Sequence, residues 1–312
     1  MKILLHSNQL GLGGTEIALW DYTCGCVDIL GHEVVIASGR IDNVAVKDKF
    51  LSRFKVLLYS SLSELESFAK EERVDVAYFI AEGRREGAIT IPGIKNAIHA
   101  VFPFYEPYGD VYAYVSSWAA EKASHGKLPW VPHIVNPFPD SGNLREKLEI
   151  PEEAIVFGGY GRSGQFDISF VQQAVREVIS TYPSIYFLFM NFTPFASTQK
   201  NLIFLPGTAD LGTKAAVIDT CDAMLHGRSD GETFGLAVAE FSSRNKPVIT
   251  YTRSGDMAHV SILKEKGTYY YDFNSLISIL CTFKREERDW NAYRDFTPEK
   301  VMAKFNTVFL KE

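Results

Sequence analysis

Twelve short runs of apolar, β-branched and aromatic residues punctuate this 312-residue chain, and their spacing limits its fold more than any other feature. Six come first: KILLHS, HEVVIAS, KVLLYS, VDVAYFI, AIHAV and VYAYVS. Six follow a break: AIVFGGY, IYFLFMN, LIFLPG, AMLHGR, PVITY and TYYYD. Runs this short and this continuously apolar read as strands buried on both faces, the pattern of parallel sheets. Helical segments lie between many of them. TEIALWDYTCGCVDILG carries apolar residues at helical spacing and stops at a glycine, and DISFVQQAVREVISTYP is amphipathic and closes before a proline. ETFGLAVAEFSSRNK and PEKVMAKFNTVFL also read as helices. Strands alternating with helices predict α/β domains with parallel sheets.

The break is LPWVPHIVNPFPDSGN, which holds four prolines and no helical pattern. It predicts two domains, residues 1-138 and 139-296, each of ordinary size. Ligands of open α/β sheets bind beyond the carboxyl ends of the strands. Two such sheets facing each other are expected to enclose a central cleft.

Bulk properties remove several function classes. Formal net charge is -6 and no basic run stands out, which argues against a broad nucleic-acid or anionic-membrane surface. The four cysteines, Cys24, Cys26, Cys221 and Cys281, form no C-x-x-C and have no histidine cluster beside them. They read as reduced thiols, not as zinc ligands or disulfides. The chain shows no signal-peptide pattern and no apolar stretch of membrane-spanning length, so the expected setting is cytoplasmic.

HSNQLGLGGTE follows the first run and carries Gly11, Gly13 and Gly14. The dinucleotide fingerprint needs a third glycine and an acid about 20 residues on. Glu16 stands in the third-glycine position, and the second run ends in Ala37-Ser38. The loop therefore does not read as a nicotinamide-cofactor site. A tight strand-to-helix turn and a loop facing another phosphate-bearing ligand both stay open.

HGRSDGETFGLAVAEFSSRNKPVITY is more informative. A strand leads into a polar turn, a helix begins near Phe234-Gly235, and a strand follows. A helix N-terminus presents N–H groups and partial positive charge, which suit a diphosphate. Glu232 precedes the helix, and Glu240 lies about 8 Å along it. That separation suits one ligand with a hydroxylated group at each end of a diphosphate. GETFGLAVAE followed by KPVIT resembles the donor site of retaining GT-B glycosyltransferases, notably glycosyltransferase family 4. The resemblance extends to LGLGGTEIALWDYTCGCVDILGHEVVIAS, VFGGYGRSGQFDISFVQQAVREV, LIFLPGTADLGTKAAVIDTCDAML and RDFTPEKVMAKFNTVF. It implies two Rossmann-like α/β/α domains, with a last helix at 297-312 packing back on the first.

The resemblance also assigns roles. Glu240 would accept from the nucleotide ribose hydroxyls, and Glu232 would contact the donor sugar. Thr233, Phe234, Gly235 and Leu236 would hold diphosphate or sugar, with Gly13 and Gly14 facing the phosphate from the N-terminal loop. Arg162 would neutralise the leaving diphosphate. The family lysine that usually follows is absent from Ser163-Gly164-Gln165-Phe166-Asp167. Either Arg228 or Lys214 substitutes, or phosphate stabilisation is weaker. His99 falls where the family often has a functional histidine; the other reading is a satisfied core residue. Glu82 also follows a strand end and is a further candidate. Tyr105, Glu106 and Tyr108 read either as acceptor-side residues, since aromatic faces suit sugar rings, or as local packing. The implied activity is transfer from a UDP- or GDP-linked sugar to a glycan, lipid-linked or protein-linked acceptor. Retention, no metal and no cofactor beyond the nucleotide-sugar co-substrate are implied, and peripheral membrane contact stays open. The alternatives are a non-catalytic nucleotide- or glycan-binding protein of the same fold, or a transferase acting on nucleic acid.

Overall fold

The computed structural model describes residues 1–311. The chain forms two compact units, Met1–Ile134 together with residues from Asp295 onward, and Val135–Arg294.

In the first unit, six strands run in parallel: β1 (Lys2–Ser7), β2 (Glu33–Ser38), β3 (Val56–Leu58), β4 (Val76–Ala81), β5 (Lys95–Ala100) and β6 (Val111–Tyr114). Their spatial order is β3-β2-β1-β4-β5-β6, the doubly wound Rossmann order. The helices are α1 (Gly14–Asp28), α2 (Val44–Leu51), α3 (Leu62–Glu71) and α4 (Ser117–Ser124). Leu65 and Ala69 of α3 and Ala119 and Ala120 of α4 pack with Leu4, Val35, Phe79 and Ile98 in one core. Both faces of the sheet are covered, which is why its strands read as continuous apolar runs.

The second unit repeats the plan with β7 (Ile155–Tyr160), β8 (Ile185–Met190), β9 (Leu202–Leu205), β10 (Ala223–His226), β11 (Gly231–Glu232), β12 (Val248–Tyr251), β13 (Asp256–Met257) and β14 (Gly267–Tyr270). Its main sheet has the order β14-β12-β10-β7-β8-β9, which is the same doubly wound arrangement. The helices are α5 (Ser169–Thr181), α6 (Leu211–Thr220), α7 (Leu236–Ser243), α8 (Ala258–Leu263) and α9 (Phe273–Thr282). Val171, Val175 and Val178 of α5 and Leu276 and Leu280 of α9 pack on Phe157, Phe187, Phe189, Leu225 and Ile249.

The chain then returns to the first unit in α10 (Pro298–Phe305). Phe305 and Phe309 set their rings against Tyr78 and Phe305 also meets Tyr22. Gly25 of α1 permits the approach, because a Cβ there would lie 2.6 Å from Cγ and Sδ of Met302.

All twelve apolar runs are strands, and the fold class is the expected one. Two details differ. β11 and β13 form a two-residue parallel ladder that no sequence pattern marks. The helix expected from Phe234-Gly235 starts at Leu236, because Gly235 is left-handed at φ 87 and Phe234 belongs to the turn.

Three histidines of the first unit, His6, His99 and His133, are at most 5% exposed. Burial pushes them from 6.5 down to about 3, 4 and 3 respectively. The unfolded chain binds protons that these folded histidines refuse. Their contribution is complete above pH 6.5 and is lost as pH falls toward 4, at about 1.4 kcal/mol per pH unit for each. Urea unfolding followed at pH 7.0, 6.0 and 5.0 is expected to show a steep fall in stability, reduced in His133→Phe; a flat profile contradicts neutral burial.

Candidate functional site

In the second unit the carboxyl ends of β7 and β10 carry two polar turns. After β10 the chain runs through Gly227–Gly235 into α7. Residues 254–257 hold this turn from the side. Ser254 Oγ donates to the Arg228 carbonyl at 2.9 Å, and the N–H groups of Gly255 and Asp256 donate to the carbonyls of Ser229 and Asp230 at 3.0 and 2.6 Å. The β11–β13 ladder pairs Glu232 with Met257. Phe234 is buried edge-on to Tyr293, whose hydroxyl donates to the Phe234 carbonyl at 3.1 Å. Thr233 is also buried and Leu236 half-buried. Gly235 turns the backbone into α7 without a side-chain cap. The first N–H groups of that helix therefore keep their capacity for an anion.

The loop after β7 is stitched to the same turn. Asp167 accepts from the N–H and hydroxyl of Ser229 at 2.8 and 2.5 Å, and its own N–H donates to the Gly227 carbonyl at 3.1 Å. The short Arg162–Asp167 loop is thus anchored beside Arg228. Arg162 is exposed, and its backbone N–H donates to Gln165 Oε1 at 2.8 Å.

Glu232 is held as an anion. Arg228 Nη1 lies 3.1 Å from its Oε1, and His226 Nε2 lies 3.3 Å from the same oxygen. Burial alone would raise this carboxyl, but the His226 hydrogen bond and the Arg228 charge outweigh it and hold the value at about 2. The side chain keeps one-fifth exposure. Arg228 is also one-fifth exposed, and its Nε has no hydrogen-bond partner among the described residues.

Glu240 is buried, and both of its oxygens are engaged. Lys214 Nζ donates to Oε1 at 2.7 Å, and the Tyr160 hydroxyl donates to Oε2. Burial and the carboxylate together push the Tyr160 hydroxyl far above its ordinary value. Lys214, an expected spare cation, is therefore not spare. It is 4% exposed and committed to Glu240, with its ammonium 5.1 Å from the Tyr160 ring centre.

In the first unit, Gly13 is extended at φ -84 and caps α1, and Gly14 opens the helix. Neither needs glycine for a left-handed angle. Leu10 bridges to Ile41 and its N–H donates to the Arg40 carbonyl at 2.9 Å, which pins the loop to the segment after β2. The loops after β4 and β5 come together through Arg84. Its guanidinium lies 3.7 Å from the Phe104 ring centre, 3.7 Å from Glu82 and 3.9 Å from Glu106. Tyr105 is 58% exposed beside them, and Tyr108 is half-buried against Tyr112. His99 does not join this group. It is fully buried; Nε2 donates to the Val131 carbonyl at 2.8 Å and the Tyr78 hydroxyl meets Nδ1 at 2.6 Å. Of its two sequence readings, the satisfied core histidine describes this geometry, because both ring nitrogens are spent.

Sequence reasoning missed Tyr160, which meets Glu240, and His226, which meets Glu232. Their partners lie on other elements, so only strand register and helix packing could reveal them. Among the described residues no group of three or more His, Cys, Asp or Glu is placed to hold a metal.

The Lys214–Glu240 pair makes a stability prediction. Lys214→Met leaves a buried carboxylate uncompensated and is expected to cost about 3–5 kcal/mol. Lys214→Met/Glu240→Gln is expected to recover at least about 1 kcal/mol relative to the sum of the singles. Additive losses in urea unfolding would show that the pair is not coupled.

No protein-family model and no curated protein matches the sequence. Solved structures do match. HepE of Anabaena in complex with UDP-glucose superposes with a TM-score of 0.72 at 16% identity, over 99% of this chain and 95% of that one. WaaG, a glycosyltransferase of lipopolysaccharide biosynthesis, gives 0.71 at 12% identity, over 99% and 100%. Sucrose-phosphate synthase of Thermosynechococcus elongatus gives 0.64 at 13% identity, over 99% and 95%. The fold of this chain is that of the GT-B glycosyltransferases.

Proposed function

We propose that the chain is a glycosyltransferase that takes a sugar from a nucleotide diphosphate sugar, with a UDP-linked donor as the first to test. The carrying observation is the anchored pair of turns at the carboxyl end of the second sheet. They place Glu232 as an anion, Arg162 and Arg228 as cations and an uncapped α7 N-terminus on one edge. A diphosphate suits the helix start and the two guanidinium groups. Sugar hydroxyls suit the carboxylate, which accepts hydrogen bonds only. The UDP-glucose complex of HepE supports a UDP-sugar as the ligand class, and a GDP-sugar is the second class to test.

The proposed reaction follows the family-4 resemblance. The bond from the sugar anomeric carbon to the diphosphate oxygen breaks. The acceptor oxygen bonds that carbon from the same face, and the acceptor proton leaves with the departing phosphate. Configuration is retained and no metal takes part. The developing phosphate charge falls to Arg162, to Arg228 in place of the absent lysine, and to the α7 dipole. Arg228 suits that substitution better than Lys214, because its guanidinium is partly exposed whereas the Lys214 ammonium is enclosed with Glu240. Glu240 would meet the ribose with Lys214 beside it; a carboxylate has about four acceptor positions, so two partners do not exhaust it. Glu82, Glu106 and Tyr105 are the proposed acceptor side, for a glycan or another hydroxyl-bearing molecule.

A second reading is a nucleotide- or glycan-binding protein of this fold without turnover. The occupied Glu240 and the lysine-free loop after Arg162 favour it.

The test is a thermal-shift series with UDP, GDP, ADP and their sugar conjugates, on wild type and the exposed-site variant Arg162→Ala. A ligand at 100 times its dissociation constant adds about 2.7 kcal/mol of stability. One nucleotide series is expected to stabilise wild type and to lose much of its effect in Arg162→Ala. Turnover of the best conjugate is expected to persist in EDTA and to fall about 100-fold in the variant. No shift with any nucleotide overturns the donor reading; binding without release of nucleotide favours the second reading.

A further inference from the structure

Behind Glu232 lies a line of polar side chains that the proposed reaction does not use. β10 and β12 are in register, with His226 opposite Thr250. His226 Nδ1 lies 2.9 Å from Thr250 Oγ1, and Thr250 Oγ1 lies 3.0 Å from Nε2 of His259 on α8. The two imidazole rings are 4.8 Å apart between centres. His226 is 6% exposed, and Thr250 and His259 are fully buried.

The hydrogen positions follow from the partners. Glu232 is a carboxylate, so it only accepts, and His226 Nε2 must carry the hydrogen between them. In the neutral ring that places the hydrogen on Nε2, Nδ1 is bare and accepts. Thr250 has one hydrogen, and its two partners are the two histidines. It donates to His226 Nδ1, and its oxygen accepts from His259 Nε2–H. The bonds therefore run in one direction, from His259 to Thr250 to His226 to Glu232. His259 Nδ1 has no side-chain or backbone partner within hydrogen-bond geometry among the described residues.

We propose that His226 and His259 are positioning residues, coupled through the Thr250 hydroxyl, that fix the carboxylate of Glu232 for recognition of the donor sugar. The proposal rests on the reading of Glu232 as the sugar-contacting group. Three elements contribute: the β10 end gives the ring against the carboxylate, β12 the hydroxyl, and α8 the terminal donor. Gly235 makes room for the third, since a Cβ there would lie 3.3 Å from the His259 Cβ. Loss of the Thr250 hydroxyl leaves His226 Nδ1 without its donor, so the ring is held only through Glu232 and no longer fixes the carboxylate. Affinity for the sugar part of the ligand then drops, while affinity for the nucleotide diphosphate stays.

The experiment has two readouts on wild type, Thr250→Val and Thr250→Ser. The first is the tautomeric state of the His226 and His259 rings by nitrogen-15 NMR. Both are expected as Nε2–H in wild type and Thr250→Ser; in Thr250→Val the His226 Nδ1 resonance is expected to shift as that nitrogen loses its hydrogen-bond donor. The second is calorimetric affinity for UDP and for UDP-glucose. Thr250→Val is expected to lower the UDP-glucose to UDP affinity ratio about tenfold, and Thr250→Ser to restore it. An Nδ1–H tautomer at His226 in wild type overturns the proposal. So does a Thr250→Val protein with an unchanged ratio, or an equal loss in both variants. If wild type binds neither ligand, the donor reading fails, and the ring tautomers still decide the relay.

Discussion

A carboxylate kept ionised in a largely enclosed turn needs compensation from every side, and the compensation of Glu232 organises the candidate site. Its charge is met by Arg228, four residues earlier on the same turn, and the same oxygen lies within hydrogen-bond reach of His226 Nε2 at the strand end. Its backbone is fixed in a two-residue ladder with Met257. Buried charge without such partners is strongly unfavourable. The turn therefore cannot relax into a generic loop. Because the turn is rigid, the neighbouring Arg162 loop has a fixed surface to dock on, through Asp167 and Ser229. The doubly wound sheet supplies the frame, since its parallel strands all end on the edge where these turns lie.

The two glutamates that look equivalent in sequence live in different surroundings. Glu232 is an anion with partial exposure, beside a guanidinium that also reaches solvent. Glu240 is enclosed on the inner side of α7 and neutralised by Lys214, with Tyr160 completing its coordination. A ligand meeting both would find a charged acceptor at one end and a charge-balanced, polar pair at the other. That asymmetry is a property of this chain. The N-terminal unit contributes a different surface, where Arg84 stacked on Phe104 joins two carboxylates near an exposed tyrosine.

What was legible in the sequence follows from the range of each interaction. Parallel strands are apolar on both faces, so KILLHS through TYYYD announced themselves one by one. Helices α1, α5 and α10 showed their spacing and stop signals within their own residues. Glu232, Arg228 and Gly235 share one short segment, so the polar turn before a helix was readable. Contacts across the fold were not. The Tyr160–Glu240 and Lys214–Glu240 bonds span 80 and 26 residues. The His226–Thr250–His259 line needs the β10–β12 register, which no local pattern encodes. His99 stood on an apolar strand with two readings, and the choice depended on Val131 and Tyr78, which only packing brings to it.

The most direct test of the account is amide hydrogen exchange of the wild-type chain with and without saturating UDP-glucose. The account predicts added protection in peptides covering 161–167 and 227–240, where the two anchored turns and the α7 N-terminus would close on the diphosphate and sugar. Protection confined to other segments, or none as UDP-glucose is raised to its solubility limit, would contradict it.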